Sequence, residues 1–308
     1  PIGNQALSCE EIPTELTFIN SGTDVVTTAT INYQAGGISN SIDWSGSLAS
    51  QESTTIELPV LGLSTGTYEL VAEVILNGDQ VVDNNDSRTI LAVNAVGEGD
   101  LINDFETEED ALLVLTENSN ASNCDSSNTT WQRGIPSGPA LNQAASGQNV
   151  YATNLGGDHG DNIKEFLTTQ CYDISALEVP QISFQMAFEL ENDWDIMYME
   201  YTTDNGVTWN ILGTANDPNW YNSDTLPGNN CFNCPGAQWT GDNDTSLNEY
   251  SYDLTAFAAE TSMIFRFVFH SDQNTVREGV LLDDLQIGLE PLAIDEVSIS
   301  GLSIHPNP

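Results

Sequence analysis

In segment after segment of this chain every second residue is apolar, and the 3.6-residue period of an amphipathic helix is nearly absent. Side chains alternate across a strand, so the pattern commits the chain to half-buried β-sheet. In Tyr68-Glu69-Leu70-Val71-Ala72-Glu73-Val74-Ile75-Leu76 the residues Tyr68, Leu70, Ala72, Val74 and Leu76 share one face. Asn77-Gly78-Asp79 is a turn signal leading into Gln80-Val81-Val82, which predicts a hairpin. Residues 15–20 and 26–33 read as strands separated by Ser21-Gly22-Thr23-Asp24. About seven such strands, ending near Val93, predict an immunoglobulin-like sandwich over residues 1–96.

From 101 to 290 the strands are spaced more widely. Residues 181–188, 197–201 and 263–269 read as strands, and a loop over 217–247 is rich in Asn, Gly, Pro and Asp. The short stretch 94–100, with Gly97 and Gly99, reads as a linker, and 291–308 as a second linker opening a further unit. A length of 308 residues fits two domains, and 39% hydrophobic residues suffice for packed cores. The expected fold class is all-β.

Charge limits the partners. Forty-six acidic residues face five basic ones, a net charge of -41. Such a field repels phosphate backbones and anionic lipid surfaces, which argues against nucleic-acid binding. No apolar run is long enough for a membrane helix, so membrane insertion is not expected either. Bound cations or salt would relieve the self-repulsion, which points to an extracellular, calcium- or salt-adapted protein. Pro1 opens without a signal peptide, as in a mature form or an excised piece.

Several strings resemble known families. Trp131-Gln132-Arg133-Gly134-Ile135-Pro136, Ala152-Thr153-Asn154-Leu155-Gly156-Gly157, residues 201–209, Asn219-Trp220-Tyr221-Asn222 and residues 278–285 occur in the order seen in MAM-like jelly-roll domains of secreted bacterial peptidases and surface proteins. That resemblance implies a jelly-roll sandwich over 101–290. The first segment, around Phe18-Ile19-Asn20-Ser21-Gly22-Thr23, resembles CARDB-type immunoglobulin-like modules. The last residues, ending Pro306-Asn307-Pro308, are similar to the opening of the C-terminal sorting domain of the type IX secretion system. Export by the type IX machinery to the cell surface or medium is what this last likeness implies.

Calcium is the cofactor these residues suggest. Asp104-Phe105-Glu106 opens the second unit and Asp283-Asp284 lies on its last strand. If Phe105 enters the core, strand alternation leaves Asp104 and Glu106 on the other face. First and last jelly-roll strands are neighbours, so these acids converge. Two carboxylates 4–5 Å apart repel by roughly 3–4 kcal/mol at an effective dielectric near 20, and hard oxygen donors select calcium. Related jelly rolls add loop carbonyls, a part that residues 157–161, including Asp158, would take here. The expected role is structural.

Other motifs read as scaffold. Thr202-Thr203-Asp204-Asn205-Gly206-Val207-Thr208-Trp209 fits the Asp-box hairpin, which looks like the repeats of sialidase propellers, here in a single copy. Cys231-Phe232-Asn233-Cys234 lies in a polar loop and lacks the second pair of a zinc site, so a local disulfide is expected. Cys124 with Cys171 is the expected second bridge, leaving Cys9 unpaired. No His-Glu-x-x-His and no Gly-x-Ser-x-Gly string occurs. Trp220 and Tyr221, flanked by Asn219 and Asn222, are candidates for stacking on a sugar ring, whereas Trp194 and Trp239 read as loop wedges. The expected function is a non-catalytic secreted or surface binding and spacer region, its partner an extracellular glycan or protein. The alternative is the accessory C-terminal part of a secreted peptidase.

Overall fold

The structure, a computed structural model, describes residues 7–289 except 8, 10, 12, 80, 82–83, 117–130, 229–230 and 242–243. The first unit contains β1 (Thr14–Ile19), β2 (Val26–Ala35), β3 (Ile38–Leu48), β4 (Ser53–Leu58), β5 (Gly66–Ile75) and β6 (Asp86–Val93). The sheet β3-β2-β5-β6 lies over the pair β1-β4, with Ile31, Tyr33, Leu58, Leu70 and Val74 between them. Gly36 and Gly37 both have positive φ, 57° and 79°, as a two-residue hairpin between β2 and β3 requires. Six strands are found among the described residues, where about seven were expected. The partner of β5 is β6, with Glu73 opposite Asp86, while Gln80 and Val82 of the expected hairpin lie outside the described residues.

In the second unit one sheet has the order β15 (Asp244–Asp253), β12 (Gln181–Glu189), β17 (Gly279–Ile287), β10 (Val150–Ala152), β9 (Gln132–Gly134), and β7 (Ile102–Asn103) also pairs with β17. The other sheet runs β14 (Asn210–Ile211), β13 (Ile196–Thr202), β16 (Met263–His270), β11 (Lys164–Tyr172), β8 (Leu113–Thr116). Phe184 on β12 meets Phe267 on β16 edge-on at 4.9 Å, joining the two layers through a continuous apolar core. The first strand of this unit lies beside the last, Asn103 opposite Leu285.

The segment 94–100 is not a loose linker. Cys171 N–H donates to the Ala95 carbonyl and Gly97 N–H to that of Cys171, at 2.9 and 2.8 Å, while Asp100 N–H donates to Ile287. The N-terminal arm reinforces this junction. Leu7 N–H reaches the Asn205 carbonyl, and Cys9 forms a disulfide with Cys171 with Cα atoms 5.6 Å apart. The Glu11 carboxylate then accepts three backbone N–H groups, from Leu61, Gly62 and Leu63, at 2.6–2.7 Å. The expected Cys124–Cys171 bridge is therefore replaced. Cys171 follows a register shift in β11, on the side where the arm and residues 94–97 arrive, and Cys124 lies outside the described residues.

Candidate functional site

Three of the expected metal ligands converge on one loop. Asp283 and Asp284 are successive residues of β17, and a regular strand would send them to opposite faces. A register shift in the β12–β17 pairing and a left-handed backbone at Asp284, φ 48°, prevent that. Asp283 Oδ2 accepts the N–H groups of Ala145 and Ser146 at 2.7 and 3.1 Å, and Asp284 Oδ1 accepts the Ser146 hydroxyl at 2.6 Å. Glu106 takes the next part of the same loop, accepting Gln148 and Asn149 N–H at 2.6 Å and the Asn149 amide at 3.0 Å. Between them, Gly147 has φ 52° and packs so close to Glu106 that a Cβ would collide with its carboxylate.

The electrostatics of this cluster are lopsided. Burial pushes the Asp283 carboxyl up to about 6, with the neighbouring Asp284 charge adding to the effect. Glu106 is held below the usual carboxylate range by the N–H groups of Asn149 and Gln148. Among the described residues no Lys or Arg forms an ion pair with Glu106, Asp283 or Asp284. The donor set is oxygen only, the chemistry of calcium rather than zinc or copper, but the three carboxylates each hold their own part of the loop and their oxygens do not all lie within 4.8 Å of one another.

The other two expected ligands sit apart. Asp104 accepts the N–H of Glu106, a local turn, and only 102–103 are extended, so Phe105 reaches the core through a left-handed turn (φ 59°) rather than by strand alternation. Asp158 belongs to the loop beside Gly279, four residues before Asp283 on β17, which is about 13 Å at a strand's rise. It is not gathered with the cluster. Glu278, absent from the expected set, clamps the first half of the same loop by accepting Ala140 and Leu141 N–H at 2.7–3.0 Å. Its role depends on chain reversal far away in sequence, and no local signal marks it.

The proposed sugar platform is not on the surface. Trp220 and Tyr221 are 3% and 5% exposed. Trp220 Nε1 and the Tyr221 hydroxyl both donate to the Leu212 carbonyl at 2.9 Å, and Trp220 packs on Phe184 and Trp239 and Tyr221 on Trp239 in one aromatic cluster. Asn222 uses its amide to bind Thr240 in both directions, and Asn219 stays exposed beside Ser251. Polar neighbours in sequence suggested exposure, but the 212–241 loop folds inward and buries its rings. Trp239 is the wedge expected of it, fully buried, and Trp194 is half-buried.

The Asp-box is a self-contained hairpin. The Asp204 carboxylate accepts Thr208 N–H at 2.8 Å and the Thr202 and Thr208 hydroxyls at 2.7 Å, and these bonds hold it down to about 2. Trp209 stacks on the Arg266 guanidinium at 3.9 Å. A buried His159–Asp195 pair, 3.1 Å apart, was not foreseen. Burial pulls the His159 imidazole down, but Asp195 and the Gly160 carbonyl outweigh it and raise it overall. Cys231 and Cys234 form the expected disulfide, Cα atoms 5.8 Å apart.

Among known proteins, no family model matches the chain. It is 26% identical over 164 residues to bacillopeptidase F of Bacillus subtilis (strain 168), covering 51% of this chain and 9% of that protein. The chain thus spans about a tenth of that relative's length. Solved structures that align with it include carbohydrate-binding modules of the β-sandwich superfamily, at 10% identity over 92% of this chain and 93% of theirs, with a TM-score of 0.34. The K2 cleaved adhesin domain of Lys-gingipain aligns at 16% identity over 63% of this chain and 99% of that domain, TM-score 0.35. SGBP-B of Bacteroides uniformis aligns at 10% identity over 93% and 72%, TM-score 0.32.

Proposed function

We propose that this chain is a non-catalytic binding and spacer region of a secreted or cell-surface protein, its second sandwich stabilised by one calcium ion. The observation that carries the reading is the convergence of Glu106, Asp283 and Asp284 on loop 145–149 with no Lys or Arg in ion-pair contact among the described residues, Arg133 acting on Glu106 only from a distance. Glu106, Asp283 and Asp284 do not stand with their oxygens all within 4.8 Å of one another, so calcium would have to draw them together, with loop carbonyls completing the set, and would supply charge neutralisation and rigidity, not chemistry. Side chains that could have stacked on or turned over a substrate are instead engaged in holding loops: Trp220, Tyr221, Asp204, and the His159–Asp195 pair. No helix among the described residues is long and apolar enough to cross a membrane. The resemblances to MAM-like and CARDB-type modules fit an extracellular glycan or glycoprotein as ligand. Export through the type IX machinery rests on residues 306–308, which lie outside the described residues.

The alternative, an accessory region of a secreted peptidase, is favoured by the similarity to bacillopeptidase F. On this reading the catalytic unit belongs to another part of the parent protein. The test is one set of measurements on the purified chain. EDTA lowers the melting temperature at fixed ionic strength, and calcium at ~100 times its dissociation constant restores about 2.7 kcal/mol, which sodium does not. Peptide and glycoside substrates are left intact. Turnover abolished by a single carboxylate substitution that spares the fold would overturn the non-catalytic reading, and a melting curve indifferent to EDTA would remove the calcium.

A further inference from the structure

Cys231, Cys234 and Asp193 form the only group of three His, Cys, Asp or Glu side chains among the described residues whose ligand atoms all lie within 4.8 Å of one another. The missing second pair that argued against zinc at Cys-x-x-Cys is thus partly supplied from elsewhere, by the turn that joins β12 to β13. Asp193 is placed there with care. Its backbone is left-handed, φ 64°, its N–H donates to the Thr240 hydroxyl at 2.8 Å, and Asn192 donates to its carboxylate at 3.0 Å. Its carbonyl accepts Phe232 N–H at 2.9 Å and lies 3.6 Å from Cys234 Sγ, so the two loops are locked together. Both cysteines are buried, at 3% and 0% exposure.

The bridge itself contributes little to chain entropy. Its partners are 3 residues apart, which on the loop-closure estimate is worth about 2 kcal/mol, against about 5 kcal/mol for a bridge with the 162-residue separation of Cys9–Cys171. A loop pinned already by Asp193 does not depend on it. We propose that Cys231-Phe232-Asn233-Cys234 is an exchangeable site: a disulfide when oxidised and, once reduced, a zinc site made by the two thiolates and the Asp193 carboxylate. Reduction by a small thiol transfers two electrons to the Cys231–Cys234 bond, leaving two cysteine thiols and the thiol's own disulfide. Zinc then displaces the two thiol protons to solvent and forms two Zn–S bonds and one Zn–O bond, with water in the fourth position. Two thiolates select zinc over the calcium that suits the oxygen cluster at Glu106.

Cobalt(II) is the probe, because thiolate ligation gives an intense charge-transfer band and tetrahedral geometry strong visible bands. The chain is reduced with a phosphine, and mass spectrometry confirms that Cys231 and Cys234 are free. The reduced chain takes up cobalt with thiolate bands, zinc displaces it, and the oxidised chain shows none. Cys9→Ser keeps the signal, Cys234→Ser loses it, and Asp193→Asn weakens cobalt binding at least tenfold while still reoxidising to the disulfide. Cobalt bands that survive Cys234→Ser, or an affinity unchanged by Asp193→Asn, overturn the proposal. So does a reduced chain with both thiols free and no band.

Discussion

Asp283 is the residue whose environment most directly sets a measurable property. Its folded pKa lies near 6, above the ordinary carboxylate value, because it is buried beside Asp284. A raised carboxyl binds its proton more tightly in the folded than in the unfolded chain, so without metal its contribution favours folding as pH falls through 6 toward 4. His159, also raised, acts in the same direction, its contribution present at low pH and lost as pH climbs through its folded value. In EDTA the melting temperature therefore rises between pH 7 and 5, and Asp283→Asn flattens that slope. With excess calcium the trend weakens or reverses, since protons then compete with the ion. A metal-free melting temperature that falls steadily from pH 7 to 5 would contradict this assignment. Trp220 makes the opposite kind of prediction. Its ring fills core, so Trp220→Ala costs about 3–5 kcal/mol in a denaturant titration and changes glycan binding only through loss of fold.

Single elements show why some of the structure was legible in the sequence and some was not. The alternation in β5 named its buried face correctly, because Leu70, Ala72 and Val74 carry the pattern within their own strand. The Asp-box was legible for the same reason: the side-chain hydrogen bonds that close it run between residues 202 and 208. Asp204→Ala accordingly raises hydrogen exchange at the Thr208 and Gly206 amides and loosens the Leu7–Asn205 contact, while the amides of β16 are unaffected. Loop 212–241 was misread because polar neighbours say nothing about which way a ring points once the chain folds back. The convergence of Glu106 with Asp283 was anticipated from strand adjacency, but the loop they hold, and Glu278 with them, depends on contacts more than 40 residues apart. Asp158 is placed in the loop beside Gly279, four residues along β17 from Asp283, so it does not join the carboxylates on loop 145–149.

At the scale of the whole molecule the acidic excess and the covalent junction act together. Five basic residues cannot neutralise forty-six acids, so the two sandwiches repel, and contacts at 94–100, the arm and one disulfide hold them side by side. Cys9→Ser lets the arm leave and makes the separation of the sandwiches sensitive to salt in small-angle scattering, which the parent chain is not. The same bridge also decides where a load travels. A pull between the N-terminus and the end of β17 enters at Cys9, crosses directly to Cys171, and leaves through the jelly-roll sheets. The immunoglobulin-like sandwich hangs, together with β7 to β10 of the second sandwich, in a closed lasso of 162 residues and bears no tension. At about 3.5 Å per extended residue, that lasso withholds roughly 55 nm of chain. In a single-molecule pull this length appears only after reduction, which makes the bridge a mechanical fuse between the N-terminus and the end of β17.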